Sequence, residues 1–393
     1  MRKPVGFTAI KQEEMQSDLE NMFRGAIRMT LETLLEEEVK NLIGVERYKR
    51  AVGRKGQRNG SYLRGLLTSM GHIQVKVPRT RDGSPVEILG RYQRRMGNID
   101  EMVAQAYTQG VSQRDVAQIT ESLCGEKISK STASRIAKRL AMNVDELHAQ
   151  EFSQAHPYMY LDATYIKARW ARKLESVCFL VAYGVNEDGF RELLGVQVAL
   201  SESGESWGSL LKDLVARGLH GVELVISDDH TGLRQAVRHH LPEIPHQRCT
   251  VHLQRNVAAY VPRRLQKRVL GEVGRIFKAE TRAKAKQRLI EFEKHWEAQL
   301  PEALICLKNG FDAATQFYKF PKDHHRRIHT TNALERLNGE LKRRSRAVGQ
   351  FPDRQSALRL LGTIAIQVTA KWAERRYLDI TLMRKEEDEQ KAA

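Results

Sequence analysis

Apolar residues recur along this chain with two periods, and the switches between them mark its segments. Over residues 17–48, Leu19, Met22, Phe23, Ala26, Ile27, Met29, Leu31, Leu34 and Leu35 return at helical spacing and predict one long helix. Between 51 and 95 that period is lost, and HIQVKVP (His72–Pro78) alternates like a short strand. Helical spacing returns over 98–147 in three pieces. These are NIDEMVAQAYTQG, then a helix opened by the capping-box pattern Ser112-Gln113-Arg114-Asp115 and broken at Gly125, then KSTASRIAKRL, begun by Ser129 or Ser131. From Tyr158 the period becomes 2. MYLDATYIKA, SVCFLVAYGV and RELLGVQVAL read as strands, the last two joined by the turn Asn186-Glu187-Asp188-Gly189. A helix (about Glu205–Arg217), a buried strand (Val222–Ile226), a helix (about Thr231–His240) and a candidate fifth strand, RCTVHL (Arg248–Leu253), follow. Residues 254–320 are helical and very basic, two more helices cover about Thr330–Arg346 and Arg354–Tyr377, and the polar tail RKEEDEQKAA is expected to be disordered.

Charge narrows the partners. The chain of 393 residues has 65 Lys and Arg against 48 Asp and Glu, a net charge of +17, which calls for a polyanion: nucleic acid or an anionic membrane surface. Apolar runs such as Val177–Val185 fall far short of the roughly 18 residues of a membrane-spanning helix, and the N-terminus has no apolar signal segment. A membrane partner is therefore not expected. The scattered Cys124, Cys178, Cys249 and Cys306 read as reduced thiols in a cytoplasmic protein. Residues 51–95 carry ten Lys and Arg against two acids, too few to neutralise a merely solvated face, so Arg58, Arg79 and Arg81 are candidates for contact with a DNA backbone.

Three strands, helix, strand, helix, strand is the order of a ribonuclease-H-like core. The predicted fold is α/β: such a core, with a mixed five-stranded sheet and helices, interrupted by an all-helical insertion and preceded by an α-rich DNA-binding region with a helix-turn-helix. The expected domains are an N-terminal helix and basic region (1–97), a helix-turn-helix (98–150), the core's first part (151–253), the insertion (254–325), the core's last part with C-terminal helices (326–383) and the tail (384–393). Short helices joined by a Gly-containing turn are what a helix-turn-helix needs. Three-helix patterns are common, and what favours this reading is the basic third helix, with Lys130, Thr132, Arg135, Lys138 and Arg139 where a recognition helix carries its contacts.

Three carboxylates carry the candidate chemistry. Asp162 sits within the apolar and aromatic stretch Tyr158–Ile166, which is costly unless it is paired or binds a metal; a structural Asp at a strand edge is the plainer alternative. Asp228 follows the buried strand VELVIS, where open α/β sheets bind ligands, though it also suits a helix cap, and position alone does not separate it from Asp229. On a helix, Thr331, Glu335, Asn338 and Lys342 share one face opposite Leu334, Leu337 and Leu341; the plainer reading of Glu335 is a solvated acid paired with Lys or Arg. Two Asp and one Glu are what two-metal phosphoryl transfer requires. Cys249 and His252 form C-x-x-H without the second ligand pair of a structural zinc site; they face opposite sides on a strand and the same side on a helical turn. Neither a phosphate-binding loop of nucleotide-driven motors nor a G-x-S-x-G elbow is present.

The series YLDATYIKAR, VISDDHTGLRQAV, PHQRCTVHLQRNV and HTTNALERLNGELKRR, in this order, resembles bacterial DDE transposases of the Mutator-like insertion-sequence family, and GVSQRDVAQITESLCG resembles their helix-turn-helix. The resemblance implies that Asp162, Asp228 (not Asp229) and Glu335 are the catalytic, metal-binding carboxylates, and that Cys249, His252 and Asn332 lie near them. It implies Mg²⁺, with Mn²⁺ as a substitute, and double-stranded DNA as partner, both terminal inverted repeats and target. It implies a homodimer or larger assembly in the bacterial cytoplasm, with Lys342, Arg343 and Arg344 on the DNA backbone. The rival expectations are a structure-specific nuclease or resolvase, which cuts without joining, and a catalytically silent DNA-binding regulator.

Overall fold

A computed structural model describes residues 7–49, 52–83, 86–90, 93–109, 111, 113–124, 128–139, 141–170 and 173–383. The chain forms two compact units, residues 1–137 and 138–393.

In the first unit, helix α1 (Phe7–Ile43) is followed by an antiparallel hairpin of β1 (Arg58–Thr68) and β2 (Gly71–Thr80). Three helices follow, α2 (Gly97–Thr108), α3 (Gln113–Cys124) and α4 (Lys130–Arg139). The expectation of one short strand in an α-rich region is corrected here. β2 alternates as read, with Ile73, Val75 and Val77 buried, but its partner β1 escaped notice. The reason lies in its packing: Leu66 joins Leu35 and the β2 valines on one side, while the next residue, Leu67, joins Ile99, Val103 and Ile136 on the other. A strand end covered on both faces shows no alternation. The turn closes through Gly71 at φ +104°, which a side chain disfavours. α1 starts ten residues earlier than predicted, and of the apolar positions named for it only Leu35 is fully buried, with Ile27 and Leu31 packed against the same core; Val39 and Ile43 beyond them are buried too. Leu19, Met22, Phe23, Met29 and Leu34 are exposed. Ser129, rather than Ser131, caps α4, accepting the Thr132 N–H at 3.2 Å. Ser112, Gly125 and the tail 384–393 lie outside the described residues.

The second unit holds a five-stranded mixed sheet with the order β5-β4-β3-β6-β7. After the short helix α5 (Ala141–Ala149), the long strands β3 (Tyr158–Trp170), β4 (Lys173–Val185) and β5 (Arg191–Ala199) form an antiparallel meander. β6 (Leu224–Ser227) runs parallel to β3, and β7 (His246–Arg248) parallel to β6. α6 (Gly204–Ala216) and α7 (Thr231–His240) cross over between β5, β6 and β7, burying Trp207, Leu210, Leu214 and Leu233 against Met159, Leu161 and Leu180 of the sheet. Tyr160 and Tyr183 stack at 4.4 Å between ring centres on adjacent strands. The candidate strand RCTVHL is corrected: β7 ends at Arg248, and Thr250–Ala259 is a helix, α8.

Helices α9 (Arg263–Phe277), α10 (Arg282–Trp296) and α11 (Pro301–Ala314) close over a core of their own, shared with Leu253 and Val257 of α8. Trp296 is 2% exposed in it and donates its Nε1–H to Glu272 at 2.7 Å. α12 (Lys322–Ile328), too polar to be read from its pattern, is anchored by buried His324, which hydrogen-bonds Tyr158 at 2.8 Å. The chain then forms α13 (Asn332–Val348) and α14 (Arg354–Thr369), the latter capped by Asp353. Among the described residues no helix is long and apolar enough to cross a membrane.

Candidate active site

Asp162 lies in β3, the middle strand of the sheet, so the strand-edge reading does not hold. Its Oδ1 accepts the Ala163 N–H at 2.9 Å, and its Oδ2 accepts an Asn338 Nδ2–H at 2.8 Å. Burial, reinforced by the negative charge of Asp228, pushes the Asp162 carboxyl up to about 7. Asp228 follows the C-terminal end of β6, the strand parallel to β3, and is half-buried. Its carboxylate accepts the His230 N–H at 3.3 Å, and no Lys or Arg pairs with it among the described residues. The neighbouring Asp229 differs. Arg248 lies 2.8 Å from one of its oxygens and Arg234 3.1 Å from the other, so it is committed to the fold.

Glu335 and Asn338 share one face of α13, as their spacing predicted, while Leu334, Leu337 and Leu341 are buried on the other. Asn338 brings that face to Asp162. Glu335 itself ion-pairs with Arg255 at 2.9 Å. Among the described residues no three His, Cys, Asp or Glu side chains are gathered closely enough to hold a metal ion. Asp162 and Asp228 are near enough for the charge of one to raise the other, and Glu335, on the helix whose Asn338 bonds Asp162, pairs with Arg255.

The C-x-x-H segment ties these parts together. The Cys249 N–H bonds the Ser227 carbonyl at 2.7 Å, immediately before Asp228. Its Sγ accepts both the N–H and the hydroxyl of Thr331, each at 3.4 Å, one turn before Glu335. Thr250 reinforces the joint through its N–H to the His329 carbonyl at 3.1 Å. One residue thus links the strand end that carries Asp228 to the helix that carries Glu335. Cys249 and His252 lie on one helical turn, near enough for each to shift the other. Burial opposes the thiolate, but His252 and Thr331 outweigh it and hold the thiol below its usual range. His252 is raised to about 9 by Cys249, with Asp162 and Asp228 adding to the effect.

Asn332 is exposed at the start of α13, and the neighbouring Thr331 makes the contact with Cys249. Sequence reasoning missed Asn338 as a partner of Asp162, although it had placed it on the right face. It also missed Arg255 and Glu202, a carboxylate that bonds Trp207 and Tyr165 and whose charge reaches Asp162. Nothing in the local pattern marked these two.

The expected DNA contacts divide. Arg79, Arg135, Lys138, Arg139 and Lys342 are exposed, and Arg81 is exposed with a bond to Gln57 at 2.9 Å. Arg344 is buried against Glu340, and half-buried Arg58 bonds the Val45 carbonyl and pairs with Glu36. Arg343 pairs with Glu340 at 2.7 Å on the surface. The Lys130 side chain lies outside the described residues.

The family described as "Transposase, Mutator family" matches residues 3–375. The chain is similar to the transposase for insertion sequence element ISRM5 of Rhizobium meliloti (strain 1021), at 36% identity covering 92% of this chain and 91% of the relative. It is equally similar, at 36%, to the transposase for IS256 in transposon Tn4001 of Staphylococcus aureus, covering 95% of this chain and 98% of that one. Similarity to the transposase for IS1081 of Mycobacterium tuberculosis is 35% over 92% of this chain and 88% of that one.

Proposed function

This chain belongs to the Mutator family of transposases, and from that premise we propose that it is an insertion-sequence transposase of the DDE type, with Asp162, Asp228 and Glu335 as its catalytic carboxylates. Water opens a phosphodiester at the element's end, freeing a 3′-OH. That hydroxyl attacks a target phosphodiester in line, and the leaving 3′-oxygen departs. The observation that carries the reading is the pairing of Asp162 with Asp228 at adjacent parallel strands, with Asp162 held by Asn338 from the helix of Glu335. The sheet order and connections support a ribonuclease-H-like core, and α2–α4 support a helix-turn-helix with Arg135, Lys138 and Arg139 toward DNA.

The residues fit a divalent cation. Two carboxylates repel each other without a Lys or Arg between them, and Asn338 Oδ1 is buried beside Asp162 without a partner. Asp162, Asp228 and Glu335 would hold Mg²⁺, with Mn²⁺ as a substitute; when bound it supplies Lewis acidity to the phosphodiester oxygens. Asn338 fixes the orientation of Asp162, and His252 places positive charge beside both Asp residues. Glu335 joins them by leaving Arg255, which is 60% exposed and open to competing DNA phosphates. Joining two element ends calls for two centres. Met15, Leu19, Met22 and Met29, exposed on α1 at spacings of four, three and seven residues, support a homodimer through that helix.

The test is a joining reaction with the element's own terminal repeats, comparing wild type with Asp162→Asn and Glu335→Gln. Wild type is expected to cut and join, and each variant to join at least about 10³-fold less, roughly 4 kcal/mol of transition-state stabilisation. Cutting without joining would favour a nuclease. Equal products from all three proteins would remove these carboxylates from the chemistry.

A further inference from the structure

The first unit contains a cleft of about 830 Å³ between the β1–β2 hairpin, the segment Gln93–Arg95 and the first turn of α4. Arg64, Arg79, Arg94 and Arg95 line it, and none of the described residues lining it is acidic. Two of these arginines are occupied: Arg95 pairs with Asp100 at 2.9 Å, and Arg64 bonds the Gly90 carbonyl at 3.2 Å and the Tyr62 hydroxyl. Arg79 and Arg94 are exposed and pair with no carboxylate among the described residues. Arg79 instead lies over the Tyr62 ring, its guanidinium carbon 4.4 Å from the ring centre, with Arg64 at 5.3 Å. A guanidinium held on an aromatic face keeps its N–H fork free and ordered, ready for bidentate contact with a phosphate.

The walls are fixed relative to one another. The Leu67 N–H bonds the Arg94 carbonyl at 2.9 Å and the Met96 N–H bonds the Leu67 carbonyl at 2.9 Å, joining the hairpin to the arginine segment. Leu67 also packs in one core with Ile128, Ala133 and Ile136, which seat the start of α4. The opposite wall carries the hydroxyls of Ser129 and Thr132. A cationic trough with an aromatic-backed arginine on one side and hydroxyls on the other matches a sugar-phosphate backbone, where phosphate oxygens accept from both.

We propose that this cleft seats one strand of the duplex phosphate backbone of the element's terminal DNA, so that hairpin and α4 grip a single DNA segment with Arg79, Arg94, Ser129 and Thr132 as contacts. This rests on the reading of the chain as a DNA transposase and adds a site to it.

The experiment measures binding of the full chain to a fluorescent duplex of the terminal repeat across a salt series, with melting curves for every variant. Arg79→Gln and Arg94→Gln are each expected to weaken binding about 5–10-fold and to reduce the salt slope by about one. Thr132→Trp fills the cleft without changing charge and is expected to weaken binding at least as much. Arg79→Lys keeps the charge but not the fork, and is expected to fall between wild type and Arg79→Gln. If the two glutamine variants, melting as wild type does, bind as tightly as wild type, the cleft is not the seat, although the chain still binds DNA. If they weaken binding but Thr132→Trp does not, the arginines act from outside the cleft and the proposal fails. If wild type itself does not bind the duplex, the reading beneath the proposal falls with it.

Discussion

In the cleft of the first unit, arginines stand without acids, whereas at the centre of the second, acids stand almost without cations. Arg79 and Arg94 face solvent with no carboxylate among their described neighbours. Asp228 raises Asp162 by its charge, His252 supplies positive charge nearby, and Arg255 is on Glu335. Elsewhere in the second unit the opposite charges have found each other: Arg248 and Arg234 hold Asp229, Arg217 holds Asp213, and Arg344 holds Glu340. A net charge of +17 therefore says less about function than the places where charge is left unmatched. Unmatched cations suit phosphates, and an unmatched carboxylate pair suits a divalent cation.

The sharpest way to break this comparison is to exchange the two adjacent aspartates. Asp228→Asn is expected to abolish joining, by about 10³-fold or more, while leaving the melting point unchanged or raised, because it removes a repulsion. Asp229→Asn is expected to cost roughly 2–4 kcal/mol of stability, because it strands Arg248 and Arg234 without their partner. Joining per folded molecule then stays within about tenfold of wild type. Denaturant melts beside the joining reaction separate the two effects. The reverse outcome would move the second catalytic Asp to position 229.

A smaller effect sharpens the same contrast through pH. The folded chain keeps Asp162 protonated up to about pH 7, against a usual carboxyl value of 3.8. The stability contributed by this raised group is complete below about pH 4 and is lost as pH rises through 7. His246 slopes the other way. Burial depresses it to about 4, so its contribution is present above about 6.5 and lost as pH falls toward 4. The two offset each other in wild type, and a difference measurement isolates Asp162. Asp162→Asn is expected to be more stable than wild type by roughly 2–4 kcal/mol at pH 8 without divalent cation, and equal to it near pH 4. Adding Mn²⁺ should narrow the gap at pH 8 by stabilising only the wild type. A gap that does not change with pH would mean that Asp162 is not strained by its neighbour.

Much of this was legible in the sequence, and the reasons differ from place to place. β3, β4 and β5 announced themselves as long runs rich in β-branched and aromatic residues, with the turn Asn186–Gly189 between the last two, although β4 is buried on both faces from Val177 to Val185. α7 was bounded as found, Thr231–His240, since its apolar stripe is simple. β1 was invisible because Leu66 and Leu67 serve two different cores in succession. RCTVHL looked like a strand because its first residue does end β7; the chain then turns at Cys249, the cap residue of α8. The three carboxylates could be singled out from position and motif. The ion pairs that separate Asp229 from Asp228 involve Arg248, nineteen positions along the chain, and no local pattern reports them. The apolar spacing of α1 was read as a helix, which it is, but periodicity reports that a face is apolar and not what covers it.

The smallest expected effect concerns the joint between the strand end that carries Asp228 and the glutamate helix. Cys249→Ala leaves the Thr331 N–H and hydroxyl without their acceptor in a buried place, which costs about 1–2 kcal/mol. If the joint only stabilised the fold, joining per folded molecule would be unchanged. If it sets the approach of Glu335 to the aspartates, joining falls about tenfold, as expected when a supporting partner of a metal ligand is removed. Cys249→Ser restores an acceptor at nearly the same point and is expected to recover joining to within about threefold of wild type. A serine variant as slow as the alanine would mean that the sulfur's pairing with His252, rather than its grip on Thr331, is what the centre requires.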